Sequence, residues 1–223
     1  MAQAIFKSWF VDFEPFGGVM PTNWVTSKAE DFFNISIGKT PPRKQPQWFT
    51  TSPKDIVWVS ISDMGRCGIF ISSSSEHLTT ESVTRFNVKV VPSGTVLLSF
   101  KLTVGRVAIT DGKMATNEAI AHFKQANKQM TEYLYYYLKN FDYQSLGNTS
   151  SIAMAVNSKT IKKMPFVMPD SNTVENFHSI TGLMFERIRC NLQESNRLAN
   201  LRDSLLPRLM SGELSVANLG DAK

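Results

Sequence analysis

The sequence predicts an α+β (α/β) globular domain built on a small, mainly antiparallel sheet, followed by a long C-terminal coiled-coil helix. Three observations carry that expectation. Short β-branched and aromatic runs are joined by connections too short for parallel crossovers. Stretches with helical periodicity flank those runs. The C-terminal part of the 223-residue chain holds a proline-free stretch with an apolar stripe at three- and four-residue steps.

Taken in order, Lys28 to Phe33 carries a first helical signal. Ile56-Val57-Trp58-Val59-Ser60-Ile61-Ser62, bounded by Pro53 and Gly65, reads as a strand. Asn87 to Val91, Thr95 to Phe100 and Val104 to Ile109 read as three more, with Pro92-Ser93-Gly94 punctuating the first pair and Gly105 placed for a bulge. Asn127 to Phe141 is helical, with Met130, Leu134, Tyr137, Leu138 and Phe141 on one face. The last element starts at an N-cap on Ser171 or Asn172 and runs to Leu206, interrupted by one glycine, Gly182, and stopped by Pro207. Its stripe is Val174, Phe177, Ile180, Met184, Ile188, Leu192, Leu198, Leu201 and Leu205. About 35 residues at ~1.5 Å rise make a rod on the order of 50 Å, longer than the helix of an ordinary globular domain. Glu175, Glu186, Glu194 and Asp203 balance Arg187, Arg189, Arg197 and Arg202, and the polar breaks Asn191 and Ser195 fit a partner-specifying coiled coil, the alternative being a long helix that lies on its own domain.

Composition narrows the function. Hydrophobic residues make up 42% and charged ones 19%, which suits a chain with a real core. No apolar run approaches the ~18 residues of a membrane span, and no secretory leader opens the sequence. Two cysteines, Cys67 and Cys190, cannot build a disulfide framework, so a cytoplasmic location is expected. The net charge of +5 is unevenly placed. Residues 1–25 hold one base and two acids, and residues 171–223 hold six of each; the seventeen bases and eleven acids between them carry the whole surplus. That favours an anionic partner for the middle segment.

No catalytic motif accompanies it. Gly38-Lys39-Thr40 resembles the end of a phosphate loop, but Phe33 stands where that loop needs its first glycine. There is no Gly-x-Gly-x-x-Gly, and Thr40-Pro41-Pro42-Arg43 lacks both ends of the Asn/Asp-Pro-Pro-aromatic run of amino-methyltransferases. His77, His122 and His178 are scattered and, with two distant cysteines, offer no metal-ligand spacing, so they are expected to be structural or exposed. No catalytic residue, metal site or cofactor is expected.

The segments Gly38-Lys39-Thr40-Pro41-Pro42, Val57 to Met64 (VWVSISDM), Ser74 to Thr79 (SSEHLT), Pro92 to Ile109 (PSGTVLLSFKLTVGRVAI) and Thr116-Asn117-Glu118-Ala119-Ile120 resemble, in that order, a target-recognition domain of Type I restriction–modification specificity (S) subunits. Ile161 to Pro169 is similar to the family's lead into its spacer helix. Leu201 to Leu214 is similar to the close of that spacer, and Ala2 to Pro15 to the tail of a preceding one. Family members usually carry two recognition domains and two spacers. This chain has one of each, preceded by a spacer tail, so it resembles a half-length form or the second half of a longer one.

The resemblance implies residues 1–25 as a spacer tail, 26–170 as the DNA-binding domain, and 171–223 as the spacer helix and tail for dimerisation and subunit binding. It implies a homodimer paired through the helix, reading a bipartite target in double-stranded DNA and directing modification subunits that methylate adenine and restriction subunits that cleave. For DNA contact it directs attention to Lys39, Thr40, Arg43, Lys44, Lys101 and Arg106, with Ser72, Ser73 and Thr103 as phosphate donors and Asn117 on a base edge. Residues 43–55, 64–75 and 110–116 fall outside the matched segments and are expected to be loops where base readers lie. Phe177, Met184, Ile188, Leu198, Leu201 and Leu205 are expected at the dimer seam. Trp48, Trp58 and Tyr133, Tyr135, Tyr136 and Tyr137 are expected in the core or an interface. Phe6, Trp9, Phe10 and Phe13 are expected against the spacer helix or a modification subunit. Two other classes remain open on the residues alone: an autonomous DNA-acting enzyme, and a coiled-coil adaptor that never touches DNA.

Overall fold

A computed structural model describes residues 1–146 and 156–214. The chain divides into two compact units, Met1–Met184 and Phe185–Lys223. It opens with α1 (Ala2–Phe10), β1 (Val25–Lys28), α2 (Ala29–Phe32) and β2 (Asn34–Ile37). Then come β3 (Phe49–Thr50), β4 (Ile56–Val59), α3 (Ile61–Arg66), β5 (Phe70–Ile71), β6 (Glu76–Leu78) and α4 (Thr80–Arg85). Next are β7 (Val96–Ser99), β8 (Val107–Thr110), β9 (Met114–Thr116), β10 (Ile120–Lys124) and α5 (Thr131–Asn140). After α6 (Ser158–Lys163) and β11 (Pro165–Met168), the helix α7 (Ser171–Met210) closes the series.

Several boundaries differ from the sequence expectation for identifiable reasons. The Ile56–Ser62 run is a strand only to Val59, because Ser60 and Asp63 cap each other reciprocally: Ser60 Oγ accepts from the Asp63 amide at 3.2 Å, and Asp63 Oδ2 accepts from the Ser60 amide at 2.9 Å. That local pairing turns the chain into α3 despite its β-branched residues. Asn87 to Val91 is not a strand; Val91 makes an isolated bridge to Met114, and Asn87 takes a left-handed turn at φ 50°. Gly105 lies in the turn before β8, not in a bulge within it. The cap of α7 is Asp170, whose Oδ1 accepts from the Thr173 amide at 3.0 Å while Oδ2 accepts from Thr173 Oγ1 at 2.8 Å and Trp24 Nε1 at 3.0 Å. Pro207 does not stop α7. It lacks only one donor near the helix end, and the helix continues to Met210, where Gly212 at φ 76° ends it in the left-handed conformation that glycine adopts freely.

The first unit holds a five-stranded sheet in the order β2-β10-β7-β8-β5 and a four-stranded sheet in the order β3-β6-β4-β9, with a small β1-β11 pair. Neighbours are antiparallel except β4 with β9 and β5 with β8. Those parallel pairs arise because long excursions, not tight turns, separate their strands in sequence. Val59, Ile71, Leu97, Ala108, Met114 and Ile120 are buried together from both sheets. Trp58, next to Val59 but on the opposite face of β4, packs with Leu78, Val88 and Ala115. The sheets are also joined through His122 on β10, which is fully buried and hydrogen-bonded to Ser36 at 3.0 Å and to Thr116 at 2.7 Å.

The N-terminal helix belongs to this unit. Phe6 and Phe10 are buried against Tyr133 and Phe177, with Phe10 edge-on to Tyr133 at 4.6 Å and to Phe177 at 5.1 Å. Phe13 meets Trp24 at 5.9 Å, so the four aromatic positions of the opening segment are largely taken up by the chain itself. Tyr133, Tyr135 and Tyr136 are core residues, as are Trp48 and Trp58.

Candidate nucleic-acid interface

Strand register dictates where the loops meet. Ile37 faces Ala121, Ile120 faces Ser99, and Leu98 faces Val107, so the C-terminal ends of β2 and β7 lie beside the N-terminal ends of β10 and β8. In the second sheet, Val59 faces Thr116 and Trp58 faces Glu76, which brings the ends of β4 and β9 to the start of β6. Backbone bonds then tie one set to the other: Lys39 N–H to Thr116 O at 2.9 Å, Gly38 N–H to Ile120 O at 3.1 Å, and Asn117 N–H to Val59 O at 3.0 Å. Gly38 is required here, since a Cβ would collide with Thr116 and Asn117. Connections 38–45, 60–66, 100–106 and 117–119 therefore emerge at one common end, and eight of the ten residues singled out for DNA contact lie on them. Ser72 and Ser73 do not start there: they follow Ile71, which is paired with Thr110 at the opposite end of the first sheet, on the connection 72–75 that leads back to β6.

Their side chains do different things. Arg43 makes a two-pronged pair with Glu76, at 2.6 and 2.9 Å, and stacks its guanidinium 4.2 Å from the Phe49 ring and 4.5 Å from the Trp58 ring. The Glu76 carboxylate raises its already high pKa further. Arg106 donates to Ile61 O at 2.7 Å and presses on Gly65, so it braces α3. Asn117 turns its Oδ1 onto the Ala119 amide at 3.1 Å. Thr40 donates to Glu118. Burial pushes the Glu118 carboxyl up, but the Thr40 bond, a backbone bond and the nearby charges of Lys101 and Arg43 outweigh it and hold the group below the usual carboxylate range. Ser73 and Thr103 are exposed and Ser72 is half-buried. Lys39, Lys44 and Lys101 are exposed and form no ion pair among the described residues.

Long-range pairing that no local pattern signals makes this framework. Arg43 and Glu76 are 33 residues apart, and Thr40 and Glu118 are 78 apart. Asp63, Arg66 and Ser75 also converge: Arg66 donates to Asp63 at 3.0 Å and Ser75 to the same oxygen at 3.5 Å. Of the stretches expected to be loops, 110–116 is instead the end of β8, a turn and the buried strand β9, because Met114, Ala115 and Thr116 complete the core. Residues 43–55 and 64–75 likewise include β3 and β5. Among the described residues, no group of three His, Cys, Asp or Glu could hold a metal ion.

Along α7, Phe177 is fully buried, 6.1 Å from Trp9 and 5.1 Å from Phe10, so it is used within the first unit and not at a seam between chains. Met184 is half-buried. Ile188, Leu198 and Leu201 are exposed, Leu205 is partly so, and Leu206, Leu209 and Met210 extend the apolar exposure.

The chain is thus a two-sheet domain with exposed lysines at its loop end, continuing into a forty-residue helix. A family model for the Type I restriction modification DNA specificity domain matches residues 21–180, and the chain belongs to that family. It is similar to the Type I restriction enzyme HindI specificity subunit of Haemophilus influenzae, 27% identical over 199 residues that cover 87% of this chain and 42% of that protein. It is also similar to the MjaIX specificity subunit of Methanocaldococcus jannaschii, 28% identical over 123 residues, 55% of this chain and 28% of that one. Among solved structures, the HsdS subunit from Thermoanaerobacter tengcongensis shares the fold at a TM-score of 0.57 and 15% identity, over 96% of this chain and 50% of that one. A chain from a structure of type I R-M complex assembly and conformational transition matches equally well, at 0.57 over 93% of this chain and 51% of its own length. The chain thus spans about half the length, or less, of the relatives it matches. No helix among the described residues is long and apolar enough to cross a membrane.

Proposed function

We propose that this chain is the sequence-specific DNA-recognition subunit of a cytoplasmic Type I restriction–modification complex, itself non-catalytic. Double-stranded DNA lies against the common loop end, and modification and restriction subunits supply adenine methylation and ATP-dependent cleavage. The observation that carries this reading is the convergence of three exposed lysines, Lys39, Lys44 and Lys101, which form no ion pair among the described residues, at one sheet end of a domain in this family. Arg43, Arg106, Thr40 and Asn117 hold the loops in shape, while the lysines engage phosphates. A second copy covers the exposed apolar positions of α7, so one recognition domain per chain becomes two per assembly, and a two-fold protein reads a two-part site.

The test is the salt dependence of duplex binding by the full chain, alone and assembled with its modification subunit. Replacing Lys39, Lys44 and Lys101 together by Ala is expected to shallow the slope of log K against log salt by about 2.7, at roughly 0.9 per phosphate contact. Duplex binding whose slope is unchanged by the triple substitution removes these lysines from the interface. Complete indifference of the assembled complex to DNA favours an adaptor that never touches it.

A further inference from the structure

The connection between β7 and β8 carries the most exposed apolar side chain of the loop end. Leu102 is 97% exposed. Its backbone is left-handed, at φ 60°, a region a leucine enters only at a cost that glycine or asparagine would avoid. The Thr103 amide donates back to Lys101 O at 2.7 Å across it, so Leu102 is the apex of a three-residue turn. The base of the loop is locked. Ser99 Oγ donates to Thr103 O at 2.6 Å and accepts from the Arg106 amide at 3.0 Å, while the Gly105 amide reaches Ser99 O at 3.0 Å and Phe100, itself buried, bonds to Ala119 O at 2.9 Å. A rigid base thus presents a strained leucine to solvent, between exposed Lys101 and exposed Thr103. Neither packing nor backbone preference accounts for a leucine at this place, and strain held by an over-determined frame marks functional positions.

Resting on the recognition reading above, we propose that Leu102 is a base-contacting residue of the duplex interface. It is an apolar tooth that Lys101 and Thr103 seat by engaging the backbone on either side. The chemistry it recognises is an apolar base surface, offered either by thymine methyl groups in a groove or by the exposed face of an opened base step.

The experiment selects duplexes from a random-sequence library with the full chain, alone and assembled with its modification subunit, and compares Leu102→Ala and Leu102→Gly. Both variants are expected to bind bulk random duplex within about twofold of the wild type and with the same salt slope. Both are expected to bind the wild-type-selected duplex at least about tenfold more weakly, with one position of the selected sequence becoming degenerate. Leu102→Gly relieves the left-handed strain, so its Tm is expected to equal or exceed that of the wild type, which separates a lost contact from a lost fold. Uracil in place of thymine at the affected position reproduces the loss if methyl groups are read, and leaves binding intact if a base face is. Selection of the same sequence at the same affinity by either variant overturns the assignment of Leu102 while leaving the recognition reading in place. A wild-type assembly that binds no duplex, or enriches no sequence, overturns both.

Discussion

The loop end of the sheets and the C-terminal part of α7 are stabilised in opposite ways. At the loop end, side chains dozens of residues apart in sequence are tied together: Arg43 to Glu76, Thr40 to Glu118, Arg106 to the carbonyl of Ile61. In α7 beyond Phe185 and just past its end, the ion pairs among the described residues are local. Glu186 pairs with Arg189, Glu194 with Arg197, Arg202 with Asp203 and Arg208 with Glu213, all substantially exposed and each contributing little. Its leucines are exposed as well, 50% at Leu198 and 45% at Leu201. The first region spends its polar groups on a fixed shape and leaves lysines over. The second keeps apolar surface that its own unit does not bury, which is the state expected of an element that another chain completes.

The largest effect that would break this contrast comes from α7. Replacing Leu198, Leu201 and Leu205 together by Gln removes on the order of 5 kcal/mol of association per helix, at about 1.5–3 kcal/mol for each fully buried leucine. Sedimentation should then report monomers. All four tryptophans, Trp9, Trp24, Trp48 and Trp58, belong to the first unit, so their fluorescence should show an unchanged urea midpoint for that unit. An unchanged mass would overturn the pairing of α7 with a second copy.

The next effect tests the internal character of the first region. His122 is cut off from water, and burial, helped by Lys124, lowers its pKa from 6.5 to about 4. The folded state therefore keeps it neutral, while the unfolded chain takes up a proton between pH 6.5 and pH 4. The resulting stabilisation is complete above pH 6.5 and is lost as the pH falls toward 4, by about 3 kcal/mol. Urea unfolding at pH 7 and pH 4 should show the wild type losing about that much more than His122→Gln, which starts less stable but has no imidazole to protonate. Equal losses in the two proteins would mean that the ring is not held neutral by the fold.

What the sequence made legible follows the same division. The long helix was readable from periodicity and from the absence of proline before Pro207, because a forty-residue pattern outweighs local noise. The cores of β7 and β8 were readable from Val96-Leu97-Leu98 and Val107-Ala108-Ile109. The loop positions of Lys39, Arg43, Lys44 and Lys101 were legible too, whereas Arg106, read within a Val104–Ile109 strand, lies in the turn before β8. Their division into braces and free lysines was not, since Arg43 and Lys44 are adjacent bases in sequence and differ only because Glu76, Phe49 and Trp58 arrive from other strands. The parallel pairing of β4 with β9 escaped for the same reason. The early end of β4 escaped because a reciprocal cap at Ser60 and Asp63 outcompeted β-branched propensity, and the extension of α7 past Pro207 because a proline near a helix end removes little.

The smallest effect is also the most discriminating, because it separates two neighbours. Arg43→Lys keeps the charge but loses the two-pronged pair with Glu76 and the stack on Phe49 and Trp58. Half-exposure of that pair screens it, so the cost is about 1 kcal/mol, seen as a fall in Tm of about 2–4 °C. The salt slope of duplex binding should stay where it was, since the framework cation is replaced by another cation. Lys44→Ala should do the reverse, leaving Tm alone and shallowing the slope by about 0.9. If Arg43→Lys altered the slope, or Lys44→Ala the Tm, the distinction between residues that shape the loop end and residues that meet the phosphates would collapse. If both behave as expected, two adjacent bases have been assigned to the fold and to the ligand by the company each keeps in space.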